Sequence, residues 1–297
     1  MFGETIDYRI LKALAHGRCR ATEEELDQDG CSSLTLEQMA GKLPRVLERF
    51  DGHFPISPDL RYLDMGCGSG ELTLGLAQMG VKHIVGVDYL PRFVELARRN
   101  ARRASLHSEI DFVCADLHEW NPATKFDVII SFDALEHISD PGAFLANMGR
   151  FLAPGGRAAI SFGPLFHSPF GDHMREFFRV QIPWRGALFS ERAMMRVRRE
   201  FYRPTDPATR YSEIAGGLNL MRYSDFLRHA HSGGWEFELL QTNAFLRKAP
   251  LKRLSNFICT LPVIRDYVVH NVYAVMRRRT DAADAPQPAE AARKLAA

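Results

Sequence analysis

The stretch Tyr62–Ala77, "YLDMGCGSGELTLGLA", decides the fold. A short apolar run leads into Gly66, Gly68 and Gly70, and a helix-like run follows from Glu71. Glycines at this spacing let a ligand lie against bare backbone, because they permit conformations and close approaches that a side chain forbids. The loop lacks the G-K-[ST] ending of a nucleoside-triphosphate loop. It also departs from the dinucleotide pattern G-x-G-x-x-G, since Glu71 stands where the last glycine would be.

Charge narrows the choice. A helix N-terminus attracts anions, which is why pyrophosphates settle there. Here Asp64 precedes the loop and Glu71 opens the helix. Two carboxylates repel a pyrophosphate and favour a sulfonium and an ammonium. Asp88 lies 22 positions after Gly66, well placed to take two ribose hydroxyls. Asp116 can accept from an adenine amino group.

Outward from the loop, strands and helices alternate. "RYLDMG" is a strand, followed by a helix over about Glu71–Met79; "HIVGVD" is a second strand and "PRFVELARRNARRA" a second helix, with Pro91 at its first turn. "IDFVCAD", "FDVIISFDAL" and "RAAISFG" read as strands three to five, with the helix "GAFLANMGRFL" and an "APGG" turn before the last. "YSDFLRHAHSGG" reads as a helix, "WEFELLQTNA" as a sixth strand and "VVHNVYAVMRR" as a last one. Alternation of this kind predicts a mainly parallel sheet covered on both faces.

Five segments, "LDMGCGSGELTLGLA", "VGVDYLPRFVELAR", "ADLHEW", "FDVIISFDALEHISDP" and "LAPGGRAAIS", resemble in order and spacing the motifs of class I S-adenosylmethionine-dependent methyltransferases, in the manner of small-molecule, ubiquinone-type O-methyltransferases. The resemblance covers roughly Arg61–Phe162. It implies an α/β fold: a seven-stranded, mainly parallel, Rossmann-like sheet with helices on both faces. To this the sequence adds a lid insertion after strand five. It also implies S-adenosyl-L-methionine as cofactor. Asp64, Gly66, Gly68 and Gly70 would line its methionine part, Asp88 its ribose, and Tyr89, Asp116 and Leu117 its adenine. Ser131 and Phe132 would lie near the methyl sulfonium.

Domain organisation follows: an N-terminal helical extension over 1–58, with residues 1–34 peripheral and a helix from Thr35; a cofactor-binding half over 59–164; a lid or substrate insertion over 165–217; a C-terminal half over 218–279; and an Ala/Pro-rich disordered tail over 280–297. The expected function is transfer of a methyl group to a hydroxyl of a small metabolite. An inactive methyltransferase-like scaffold, or transfer to nitrogen or carbon, is the alternative.

An hydroxyl acceptor benefits from losing its proton. His137, in "DALEHISD" past strand four, is of the residue type whose unperturbed side chain can accept a proton near neutral pH, and Glu136 can orient it. His173, in "FHSPFGDHMREFF", is a second candidate for facing the acceptor. Asp133, Glu136, His137 and Asp140 form an oxygen-rich group, weighed as a magnesium site and set below the reading with no metal. Gly171–Arg203 holds eight arginines against four acids, with aromatics interleaved. Such forks bind carboxylates and phosphates, so an anionic sugar or lipid-linked acceptor is one expectation, and a solvated basic helix face the other.

Composition bounds the rest. The chain has 297 residues, 46% hydrophobic and 25% charged, with a net charge of +2, ordinary values for a soluble enzyme. The basic charge is confined to one insertion, which argues against nucleic acid. Five scattered cysteines without C-x-x-C suit reduced thiols in a cytoplasmic protein. No signal-peptide core and no uncharged apolar run of spanning length occurs. A second insertion, with Lys248, Lys252, Arg253, Phe257 and Leu261, is read as a membrane-surface, sheet or dimer contact, and a monomer or homodimer is expected.

Overall fold

The structure, a computed structural model, describes residues 5–16, 43–44, 46–104, 106, 108–214, 217–244, 254 and 257–279. The tail at 280–297, the start of the helix expected from Thr35 and most of residues 245–256 lie outside these.

Seven strands form one sheet: β1 (Arg61–Met65), β2 (His83–Asp88), β3 (Glu109–Cys114), β4 (Phe126–Phe132), β5 (Leu152–Phe162), β6 (Trp235–Ala244) and β7 (Val269–Arg278). Their order is β3-β2-β1-β4-β5-β7-β6. Only β7 runs against its neighbours. This is the predicted seven-stranded, mainly parallel sheet.

The strand residues alternate between two cores, as the two-residue period of a strand requires. On β1, Leu63 and Met65 face one core and Tyr62 the other. On β4, Ile129 faces the first, and Val128 and Ile130 the second. The first core is closed by two helices, α4 (Pro141–Phe151) and α7 (Tyr223–Ser232), through Phe144, Leu145, Met148, Phe226 and Ala230. Trp235, fully buried there, donates its indole N–H to the Leu145 carbonyl (3.2 Å). The second core is closed by α2 (Glu71–Gln78) with Leu43, Phe50 and Phe54. Helix α3 (Pro91–Ala104) packs Val94 and Ala97 on Phe112 at the β3 edge.

The "APGG" turn is absorbed into β5. Phe126 pairs with Leu152 and Val128 with Arg157, so the intervening residues bulge out of register. Gly155 supplies the left-handed step there (φ 77°).

Residues 165–214 form a second, smaller core rather than a simple connector. Phe166, Met174, Phe178, Met194, Met195, Val197 and Tyr211 pack together, and Tyr8 and Leu11 of α1 (Ile6–Leu14) join them, both fully buried. The described residues 5–16 are thus not peripheral. A nine-residue amphipathic segment cannot bury its apolar side alone, and its partners lie far along the chain. After the short α5 (Arg185–Leu188), the helix read at Ser190–Phe201 is α6 (Glu191–Val197), capped by Ser190 and extended by a π turn over Arg198–Tyr202. Among the described residues no helix is long and apolar enough to cross a membrane.

Candidate active site

Because β1 to β5 are parallel, their C-terminal ends share one rim. β1 is bonded to β2 on one side and β4 on the other, so the connections diverge there and a crevice opens, the usual ligand position in such sheets. A cavity of about 1030 Å³ fills this crevice.

The glycine loop forms one wall. Gly66 and Cys67 donate to the Val87 carbonyl (2.8 and 3.1 Å), which ties the loop across β2. Gly66 and Gly68 line the cavity, both with left-handed backbone (φ 79° and 50°). Gly70 does not line it. A methyl group there would come within 2.9 Å of the Phe112 ring, so this glycine serves the packing of the loop on β3.

Asp88, at the end of β2, lines the cavity and accepts from Gly68 N (3.0 Å) and Leu90 N (2.9 Å). Burial raises its pKa. Asp64 lines the cavity too, 1% exposed, and accepts from the Thr73 hydroxyl (2.7 Å). Burial pushes it up to about 7, against that hydrogen bond. Tyr89, Asp116, Leu117 and Phe132 also face the cavity. Asp116 accepts from His118 N (2.8 Å), which fixes its carboxyl at the turn after β3. Ser131 does not face it; its hydroxyl donates to the Met65 carbonyl (2.8 Å) and pins β4 to β1.

His137 lines the cavity, at the end of the short turn Leu135–His137 after β4. Its neighbours in the predicted catalytic group sit behind it. Glu136 is 3% exposed, accepts from Gly163 N (2.8 Å), and its Oε2 has no hydrogen-bond partner among the described residues. His173 stacks edge-to-face with His137 at 5.4 Å and bonds the Pro164 carbonyl through Nε2 (3.1 Å). Burial lowers its pKa. Both residues therefore support the His137 loop and do not line the cavity. Asp140 is elsewhere, capping α4 at Ala143 N (2.9 Å). Among the described residues no three His, Cys, Asp or Glu side chains are disposed to hold a metal.

Burial pushes Glu136 up to about 8, aided by the charge of Asp133. The native state therefore binds this proton more tightly than the unfolded chain does. The resulting stabilisation is complete below the ordinary glutamate range and is lost as pH rises through about 8. Glu136→Gln is expected to flatten the fall in urea midpoint between about pH 5 and about pH 9 by a few kcal/mol equivalent. Denaturation curves at both ends of that range test this; an unchanged slope would place the titration elsewhere.

The far side of the cavity was not legible in sequence. Leu43, Val46, Ser161, Ile214, Leu218, Asn219, Asn271 and Tyr273 come from four separate regions of the chain. Asp133 joins them with a left-handed backbone (φ 52°), uncommon for a residue with a side chain. Among the described residues no lysine or arginine lines the cavity, against five carboxylates: Asp64, Glu71, Asp88, Asp116 and Asp133. A cavity so charged fits a cofactor bearing a sulfonium and an ammonium, and the bare glycine backbone leaves room for it.

Residues 63–160 match the family model described as a methyltransferase domain. That stretch of the chain therefore carries a methyltransferase domain. It is 35% identical over 102 residues to a ubiquinone biosynthesis O-methyltransferase of Bradyrhizobium sp. (strain ORS 278), a match covering 34% of this chain and 39% of that relative. It is 32% identical over 140 residues to the 27-O-demethylrifamycin SV methyltransferase of Amycolatopsis mediterranei, covering 47% and 50%. The chain thus spans half or less of the length of these curated relatives. The fold of the methyltransferase domain is shared with an S-adenosylmethionine-dependent methyltransferase from Mesorhizobium loti (TM-score 0.51, 19% identity, covering 82% of this chain and 100% of that one). It is shared equally with the [4+2]-cyclase SpnF (TM-score 0.51, 17% identity, 89% and 87%), so the fold by itself does not set the reaction.

The arginines of the insertion are held away from the cavity of this domain. Arg185 and Asp172 form a doubly hydrogen-bonded pair (2.7 and 3.0 Å), both side chains nearly fully buried. Arg185 also lies over the Phe178 ring at 4.0 Å. Arg198 pairs with Asp206 (2.6 Å), and Arg196 lies over Tyr8 at 3.8 Å. These contacts stitch the small core together.

Proposed function

We propose that the chain is an O-methyltransferase acting on a neutral, hydroxyl-bearing small molecule. The observation that carries this reading is a single cavity that joins the acidic, glycine-walled cradle to His137. The O-methyltransferases among its relatives support the acceptor atom.

When bound, S-adenosylmethionine supplies an electrophilic methyl group. Asp88 would hold its ribose, Asp116 and Leu117 its base, with Tyr89 beside the adenine, and Gly66, Gly68 and Asp64 its methionine part. The remaining task of the protein is to bring the acceptor oxygen in line at about 3 Å and to take its proton. His137 is the base in this reading. Glu136 and His173 hold its loop, and Asp133 is placed to accept from an acceptor hydroxyl. Leu43, Val46, Ile214 and Leu218 give the acceptor side an apolar wall. Among the described residues of that wall an anionic acceptor finds no lysine or arginine, which is why a neutral one is preferred.

Incubation with methyl-labelled cofactor and a panel of phenols and alcohols, read by mass spectrometry, is expected to place the label on oxygen. Label on nitrogen or carbon, or cofactor binding with no transfer to any acceptor, would sink the proposal. His137→Ala is expected to lower kcat about a hundredfold or more while cofactor affinity stays within about twofold. Equal loss of both would make His137 a binding residue.

A further inference from the structure

We propose that Asn219 is a positioning residue that fixes the turn carrying His137. That turn, Leu135–His137, is only three residues long. So short a turn satisfies few of its own carbonyls, and the rest need partners from outside. Asn219 supplies them. Its side-chain amide donates to the Leu135 carbonyl (2.7 Å) and to the Ile138 carbonyl (2.8 Å). Its backbone N–H donates to the Glu136 carbonyl (2.9 Å). One residue thus holds the turn at three points, on both sides of His137.

The side chain that does this is itself fixed. Asn219 Oδ1 accepts from Met221 N (3.0 Å), an Asx turn that closes over Leu220, whose backbone is left-handed (φ 56°). Leu218 is buried in the small core of the insertion, and Met221 in the main core closed by α4 and α7. Neighbours anchored in two cores hold the amide in one orientation. Its partners define that orientation, since only the NH2 end can serve two carbonyls and only the oxygen can serve an N–H. Aspartate and leucine, of about the same size, do not provide two donors and an acceptor.

Asn219 also lines the cavity. Both of its amide hydrogens are committed to the turn, so it has none to offer an acceptor, and it acts through His137. His173, which stacks on His137, comes from the insertion as well. The insertion and its small core therefore set the place of the His137 ring. A displacement of about 1 Å can lower turnover about a hundredfold. The kinetic consequence rests on His137 acting as the base; the placement of its turn does not.

The test replaces Asn219 by serine and by alanine in the full chain. Serine keeps an oxygen that can accept from Met221 N, so the local turn is preserved, but it is too short to reach the Leu135 and Ile138 carbonyls. The ring proton resonances of His137, assigned by their absence from His137→Gln, are expected to shift and broaden in both variants. With the phenol or alcohol that the wild type methylates, kcat is expected to fall at least about tenfold, while affinity for S-adenosylmethionine stays within about twofold. A merely structural role would lower the melting temperature and the fraction of active protein, leaving kcat per bound cofactor and the His137 resonances unchanged; that result overturns the proposal. So does a loss of turnover with unmoved resonances, which would make Asn219 a contact of the acceptor. Moved resonances with unaltered turnover would keep Asn219 as the anchor of the turn and remove His137 as the base.

Discussion

Asp88→Ala is expected to raise the dissociation constant for S-adenosylmethionine at least about a hundredfold. Two effects act together. The carboxylate sits at the end of β2 on the cavity wall, where a ribose would present two hydroxyls. Hydrogen bonds to a charged group are worth roughly 1.5–3 kcal/mol each, and about 1.4 kcal/mol is tenfold in affinity. The same carboxylate accepts from Gly68 N and Leu90 N, so its loss also frees the glycine loop. Asp88→Asn separates the two, since the amide oxygen can still accept from one backbone N–H. It is expected to bind more weakly than wild type and more tightly than Asp88→Ala. Calorimetric titration of the three proteins provides the check. An alanine variant with wild-type affinity would remove Asp88 from the site.

Asp172→Ala is expected to cost about 3–5 kcal/mol of stability, because it leaves the Arg185 guanidinium charged and buried. The two side chains are 2% and 1% exposed, at the heart of the small core formed by the insertion and α1. The double replacement Asp172→Leu with Arg185→Met is expected to recover most of that loss, since an apolar pair of similar volume avoids desolvating both ions. Urea midpoints of the wild type and the two variants decide it. A single variant as stable as the wild type would mean that the pair is open to water and free for another role, including the binding of an anion.

Legibility in sequence differed between the two walls of the cavity. Asp64, the glycines and Asp88 fall within a continuous stretch in which each strand end delivers its residue to the rim. The parallel topology then follows from the alternation of elements alone. Gly70 and Ser131 belong to the same motifs, yet they face Phe112 and the Met65 carbonyl. Motif membership gives the strand end and not the direction of each side chain.

The insertion is ambiguous in sequence for a related reason. Eight arginines among aromatics read as an anion site, but a guanidinium serves equally well stacked on Phe178 or Tyr8 and paired with Asp172 or Asp206. Whether such a group faces a ligand or a core depends on partners far away in sequence.

By itself, then, the order of residues settled the sheet, the crevice and the cationic character of the cofactor, because strand period, glycine conformation and local charge act over a few neighbouring positions. Three-dimensional packing alone settled the acceptor side. Leu43, Asp133, Leu218 and Asn271 line one cavity only because distant parts of the chain, the antiparallel β7 among them, are brought to the same rim, and contacts of that span leave no periodic trace in the chain.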